Sequence, residues 1–285
     1  GLDVPLYEVV EPQPNKGLPA LPPESPLDVY FDIEGHPLME GGLEYLWGCS
    51  VKDPHAPRGK THGFLDWWAH DREQEKTAFE SFIDWVHARW VKDPSMHVYH
   101  YASYEVTAIN RIASREQTRM DLVAELLANG VFVDLYRIVL NGLRIGEPKY
   151  SIKNVEHLYR SRRETEVANG GESVVVYERW RETGGDALWR DSDHGLTAWR
   201  QDSAGFNWAG WPELMAIRDY NIDDCESTLE LGDWLRGIQS DNQILFLPPN
   251  NDLLIEVEKT EKQEANAAKR SALQARQHSL IDRQK

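Results

Sequence analysis

Apolar and polar residues alternate with a period of two early in this chain, and from about residue 73 they recur every three to four positions. The run Val29-Tyr30-Phe31-Asp32-Ile33-Glu34-Gly35 predicts a strand that ends in two alternating carboxylates and is stopped by Gly35 and Pro37. Runs around Leu43–Val51 and Thr61–Trp67, set off by glycine and proline turns, predict two more strands and suggest an antiparallel meander. From about Glu73 to Trp90, the residues Phe79, Phe82, Ile83, Val86 and Trp90 form one apolar stripe, as a helix with a buried face requires. A further strand over Met96–Tyr101 leads to short helices at Tyr104–Ala113 and Gln117–Ala128.

Beyond that point the pattern is mostly helical. Asp134–Leu140 and Ser151–Tyr159 read as short helices, and Glu172–Glu182 and Pro212–Ile238 as longer ones. Residues 184–210 read as an insertion bearing Trp and Asp. Prolines cluster in residues 1–23, which read as an extended linker. After Pro248-Pro249, residues 256–285 are rich in Ala, Gln, Glu, Lys and Arg with few large apolar side chains, so 246–285 reads as a linker and charged helix leading to a further domain. A meander followed by strands alternating with helices points to an α/β or α+β domain over residues 24–245.

Composition narrows the class without choosing it. The 285 residues are 41% hydrophobic, ample for a core, and no apolar run approaches the roughly 20 residues of a membrane span. No signal-peptide pattern opens the sequence, and a start at Gly1-Leu2-Asp3 without Met reads as that of a fragment or processed chain. Two cysteines, Cys49 and Cys225, make neither a metal-ligand spacing nor a disulfide framework, which fits a cytoplasmic protein. The formal charge of −16 disfavours a polyanionic partner in general. A metal-dependent nuclease, however, needs acids at its centre and only a local basic track.

Three groups of residues carry candidate chemistry. On a strand, Asp32 and Glu34 project side by side, and like charges so placed repel unless a cation or shared proton separates them. A solvated acidic strand face is the alternative. Glu105, in His100-Tyr101-Ala102-Ser103-Tyr104-Glu105, stands where the first turn of a helix stabilises a carboxylate, so its position has a structural explanation as well as a chemical one. In Asp219-Tyr220-Asn221-Ile222-Asp223-Asp224, Tyr220 and Asp224 are four apart and share a helix face close to the apolar side marked by Ile217, Leu229 and Trp234. A carboxylate at the edge of a core needs a partner, and a metal is a good one.

In this order the three groups resemble the DEDD exonucleases of the ribonuclease H-like superfamily, and Val133-Asp134-Leu135 and the segment from Tyr150 to Glu156 look like that family's connecting segments. The chain is most similar to the YprB-like group, often fused to RecB-like nuclease and helicase domains. It resembles the tyrosine subclass, because Tyr220 precedes Asp224 by four. Glu105 departs from the usual aspartate, and His36 and His100 lie at no family position. The resemblance implies a ribonuclease H-like fold, a mixed sheet flanked by helices, and 3′–5′ exonuclease activity on single-stranded DNA or RNA.

It also implies two Mg²⁺ or Mn²⁺ ions. Phosphodiester hydrolysis needs an activated water, charge neutralisation and leaving-group stabilisation, which two hard cations roughly 3.5–4 Å apart supply. Asp32 would bridge both ions, Glu34 and Asp224 would hold the one that activates water, Glu105 would serve the other, and Tyr220 would orient the water. Arg144, Lys149, Lys153, Arg160, Arg162 and Arg163 form the densest basic stretch, either a phosphate track or solvated helix charge. Trp189, Trp199 and Trp208 are candidates for base stacking, although most tryptophans, Trp85 and Trp90 among them, belong to cores. Two other classes stay open. A glycoside hydrolase or carbohydrate-binding domain would use acidic pairs and Trp and act in EDTA, leaving Tyr220-x-x-x-Asp224 unexplained. A non-catalytic scaffold would bind metal without turnover.

Overall fold

The computed structural model describes residues 6–52, 62–160, 170–191 and 208–247. Arg162, Arg163, Trp199 and the segment 256–285 lie outside these. The described residues up to Phe246 fall in one compact unit. Its centre is a five-stranded sheet formed by β2 (Val29–His36), β3 (Leu43–Lys52), β4 (His62–Trp68), β5 (Val98–His100) and β6 (Phe132–Asp134), in the order β4-β3-β2-β5-β6. β4, β3 and β2 form the expected antiparallel meander, while β2, β5 and β6 run parallel. The fold is therefore α/β, one of the two classes the pattern left open, with the mixed sheet that the resemblance implies.

Both faces of β2 are covered, and alternation sorts its side chains between them. Val29, Phe31 and Ile33 join a core with Trp47, Trp67 and the stripe Ala78, Phe79, Phe82, Ile83 and Val86 of α1 (Arg72–Lys92). Asp71 starts α1 by accepting the Gln74 amide at 2.9 Å, a side-chain cap worth about 1 kcal/mol. Trp85 and Trp90 pack half-buried against this core. On the other face, Tyr30 enters a second core with Tyr99 and the long helix α8 (Pro212–Asp241). Asp32 and Glu34 continue that face toward the N-terminal half of α8.

Several boundaries differ from the sequence reading. β2 does not stop at Gly35. It runs to His36 through a register shift between Glu34 and Gly35, where a Cβ at position 35 would come within 2.2 Å of the Glu44 carboxylate and 2.4 Å of the Tyr104 hydroxyl. Residues 6–23 are not a free linker. β1 (Tyr7–Val9) pairs antiparallel with β7 (Leu143–Ile145), and Leu18 and Leu21 are fully buried in the second core. Apolar residues that recur only once or twice between prolines show no period, so the pattern concealed them. After α2 (Tyr104–Glu116), Gln117 and Arg119 adopt left-handed backbone, delaying α3 to Met120–Ala128. The expected helix at 134–140 is α4 (Leu135–Gly142), and that at 151–159 is one turn, α5 (Ile152–Val155), followed by a 3-10 turn. β6 went unread because three residues are too few to show alternation.

Within the expected insertion and before it, α6 (Gly170–Glu182) and α7 (Gly185–Asp191) build a third, aromatic core with Tyr45, Trp68, Trp189 and Trp211. Trp189 is buried there, which removes it from a base-stacking role, and the half-buried Trp208 packs against the same core. Cys49 and Cys225 are free and buried. Among the described residues, no helix is long and apolar enough to cross a membrane.

Candidate metal-binding site

The acids of β2 meet the acid of α8 because helix and strand run antiparallel across the sheet face. Arg236, near the end of α8, reaches the Tyr30 hydroxyl at 3.3 Å and Asp28 at 3.4 Å near the start of β2. Asn221, four turns earlier on the helix, donates to Asp32 Oδ2 at 2.8 Å. One turn of α8 therefore lies over the carboxylates, and Asp32, Glu34 and Asp224 each present an oxygen within 4.8 Å of the others.

Electrostatics show what such a group needs. Two unit charges at that separation repel by about 3 kcal/mol at an effective dielectric of about 20. Glu34 is 6% exposed, and burial together with the charge of Asp224 pushes its carboxyl up, to about 8, although Ser173 and Asn221 donate to it and oppose the rise. The Lys153 ammonium lies 3.4 Å from Asp224 Oδ1 and 4.7 Å above the Tyr220 ring. Once Glu34 gives up its proton, three carboxylates and one ammonium leave two negative charges, which one divalent cation balances. The donors are hard carboxylate oxygens, the type that Mg²⁺ and Mn²⁺ prefer. The residues fit such an ion.

Tyr220 lies in the same turn of α8. Its hydroxyl hydrogen-bonds Asp224, and burial with the charges of Asp224, Glu34 and Asp32 raises its pKa far above the ordinary phenol range. It keeps its proton, and so acts as a hydrogen-bond donor rather than as a base.

Glu105 stands apart from the three acids. It is buried in the first turn of α2, with Oε2 3.5 Å from His100 Nδ1, while that nitrogen is turned toward the Ala102 carbonyl at 2.6 Å. Oε2 is left with no hydrogen bond. Burial would lower the His100 imidazole, but the close approach and charge of Glu105, the charge of Asp134 and the bond to the Ala102 carbonyl outweigh it and raise the imidazole above its usual range. The turn between them is strained: Ala102 has φ 72°, held by a bond from its amide to Asp134 Oδ1 at 2.9 Å. Asp134 also caps α4, accepting from Tyr136 at 2.9 Å. His36 accepts the Met39 amide at 3.0 Å and pairs with Glu178, far from any ligand role.

The basic residues divide as well. Lys153 reaches the acids. Arg160 is 13% exposed and held by Asp223 at 2.7 Å and Glu230 at 3.2 Å. Arg144 lies on β7, paired with Glu8 of β1, and Lys149 is exposed in the following loop. Two residues the sequence reading left without roles, Asn221 and Ser173, touch the acids directly. Asn221 adjoins Tyr220 on the helix and was within reach of spacing arguments, but nothing local marks Ser173.

A model of an RNase H superfamily family matches residues 29–236, which spans β2 through most of α8. This chain belongs to the RNase H superfamily. No curated protein and no solved structure matches it. As an RNase H superfamily domain it carries its acids where the fold brings them together: two on the first strand of the large sheet and one on the helix crossing that strand. That membership suggests nuclease chemistry, and the acidic group is where such chemistry would occur.

Proposed function

We propose that this protein is a divalent-metal-dependent nuclease acting as a 3′–5′ exonuclease on single-stranded nucleic acid, with DNA favoured over RNA. The observation that carries the reading is the group of Asp32, Glu34 and Asp224 within 4.8 Å, with the Tyr220 hydroxyl bonded to one of its members. Mg²⁺ or Mn²⁺ held by these acids would neutralise phosphate charge and lower the pKa of a water for attack. The chain's own residues do the rest. Tyr220, a donor fixed beside Asp224, orients the attacking water. Lys153, now paired with Asp224, would contact a phosphate oxygen where a cation balances the carboxylates. Glu105, whose Oε2 makes no hydrogen bond, would serve a second ion together with Asp32, as the DEDD resemblance implies. Lys149 and Arg144 extend the contact to phosphates further along the strand, and Arg160 supports it by fixing Asp223. By the YprB-like resemblance, the domain would work within a larger helicase–nuclease protein of DNA repair or processing.

The test is incubation of end-labelled single-stranded DNA and RNA with Mg²⁺ or Mn²⁺. The proposal expects shortening from the 3′ end that stops in EDTA and in Asp32→Ala. If neither polymer is cut, or if Asp32→Ala cuts equally well, the proposal is wrong.

A further inference from the structure

A metal site depends on the groups that orient its ligands, because a carboxylate free to rotate loses affinity to the cost of ordering it. Ser173 and Tyr177 are four residues apart on α6 and share one face. Both sit on Tyr45 of β3. Tyr177 stacks on its ring, with centroids 3.9 Å apart and planes at 8°, and the Ser173 hydroxyl lies 2.5 Å from the Tyr45 hydroxyl. All three side chains are fully buried. Ser173 Oγ also lies 2.8 Å from Glu34 Oε2.

Counting protons sets the direction of this chain. With a cation bound, Glu34 is ionised and only accepts, and a serine hydroxyl has a single proton. Ser173 therefore donates to Glu34, and the Tyr45 hydroxyl donates to Ser173. Two further links hold α6 in place: the Tyr177 hydroxyl meets His70 Nδ1 at 2.9 Å, and Glu178 pairs with His36. The helix is thus fastened to four residues, Tyr45, Glu34, His70 and His36, and one of them is an acid of the site.

We propose that Ser173, itself oriented by Tyr45, is a positioning residue for Glu34, and that α6 is the clasp fixing this carboxylate for a divalent cation shared with Asp32 and Asp224. The inference rests on reading the three acids as a cation site. It assigns α6 a part in metal affinity, although no residue of that helix is a ligand.

The experiment is calorimetric titration of Mn²⁺ into wild type, Ser173→Ala and Tyr45→Phe, with circular dichroism to confirm folding and rates measured against Mn²⁺ concentration. Loss of an orienting partner typically weakens metal binding by about ten- to a hundredfold. Ser173→Ala is expected to fall in that range, and Tyr45→Phe to shift the same way by less. Saturating Mn²⁺ should restore most of kcat in both, a split that lost packing alone does not produce. A folded variant of either kind that binds Mn²⁺ like wild type overturns the proposal, and if Ser173→Ala does not fold, Tyr45→Phe decides it alone. Wild type that takes up no Mn²⁺ overturns the underlying cation-site reading instead.

Discussion

The side-chain amide of Asn221 donates to Asp32 Oδ2 at 2.8 Å through space that exists because residue 48 is glycine. Gly48 lies opposite Asp32 in the β2–β3 register, and a Cβ there would sit 1.7 Å from Asn221 Oδ1 and 2.8 Å from the Phe64 ring. Strand β3 thus makes room for the residue of α8 that anchors the acid of β2. Overpacking a core costs about 1–3 kcal/mol. Gly48→Ala is expected to lower the melting temperature and to displace Asn221, and Asn221→Ala to weaken Mn²⁺ binding by about ten- to a hundredfold. Calorimetry on both variants checks this, and wild-type affinity in both would sink the idea.

Without a cation, the three acids oppose the fold. Because Glu34 holds its proton below about pH 8, Asp224→Asn chiefly removes the repulsion from Asp32, about 3 kcal/mol, and gives up a half-exposed pair with Lys153 worth about 0–1 kcal/mol, so repulsion dominates. The expected result is a higher melting temperature in EDTA and loss of the stabilisation that Mn²⁺ confers on wild type. Scanning fluorimetry with and without Mn²⁺ measures both. A variant that melts lower than wild type in EDTA contradicts the account.

Glu34 gives the metal-free protein a pH dependence whose sign follows from its shift. Its carboxyl lies at about 8 in the folded protein against 4.5 for the free group, so the folded state holds a proton that the unfolded state releases. Its contribution to stability is present below 4.5 and is lost as pH rises through about 8. Asp28, raised by burial to about 6, acts with the same sign in a lower window. In EDTA, melting temperature should fall between pH 5 and pH 8 more steeply in wild type than in Glu34→Gln. Identical slopes would show that Glu34 does not titrate in this range.

Lys153 occupies the acidic group as a single positive charge. Lys153→Met is expected to tighten Mn²⁺ binding, because a competing cation is gone, and at the same time to weaken binding of single-stranded DNA. The slope of log affinity against log salt should become shallower by about 0.7, the value for one phosphate contact on a single strand. Fluorescence anisotropy across a salt series measures the slope. An unchanged slope would place Lys153 outside the nucleic-acid contact.

Local pattern was enough where residues close in sequence share a face. Asp32 and Glu34 on one strand, and Tyr220 and Asp224 on one helix, follow from periods of two and 3.6. Glu105 was readable only as a residue in the first turn of a helix, and its pairing with His100 follows from the strained turn at Ala102. The basic stretch from Arg144 to Arg163 looked uniform in sequence. The fold separates Lys153, beside the acids, from Arg160, held by Asp223 and Glu230.

The sequence by itself determined the meander, the apolar stripe of α1, the acids of β2 and the shared face of Tyr220 and Asp224 on α8, because hydrophobic period and side-chain direction are local properties of the backbone. Only the tertiary structure decided how those acids are held. Asn221 meets Asp32 across 189 residues and Ser173 meets Glu34 across 139, in geometries set by the absence of a side chain at Gly48 and the stacking of Tyr177 on Tyr45. Contacts of that kind arise from packing complementarity between distant segments, which leaves no periodic trace in either one.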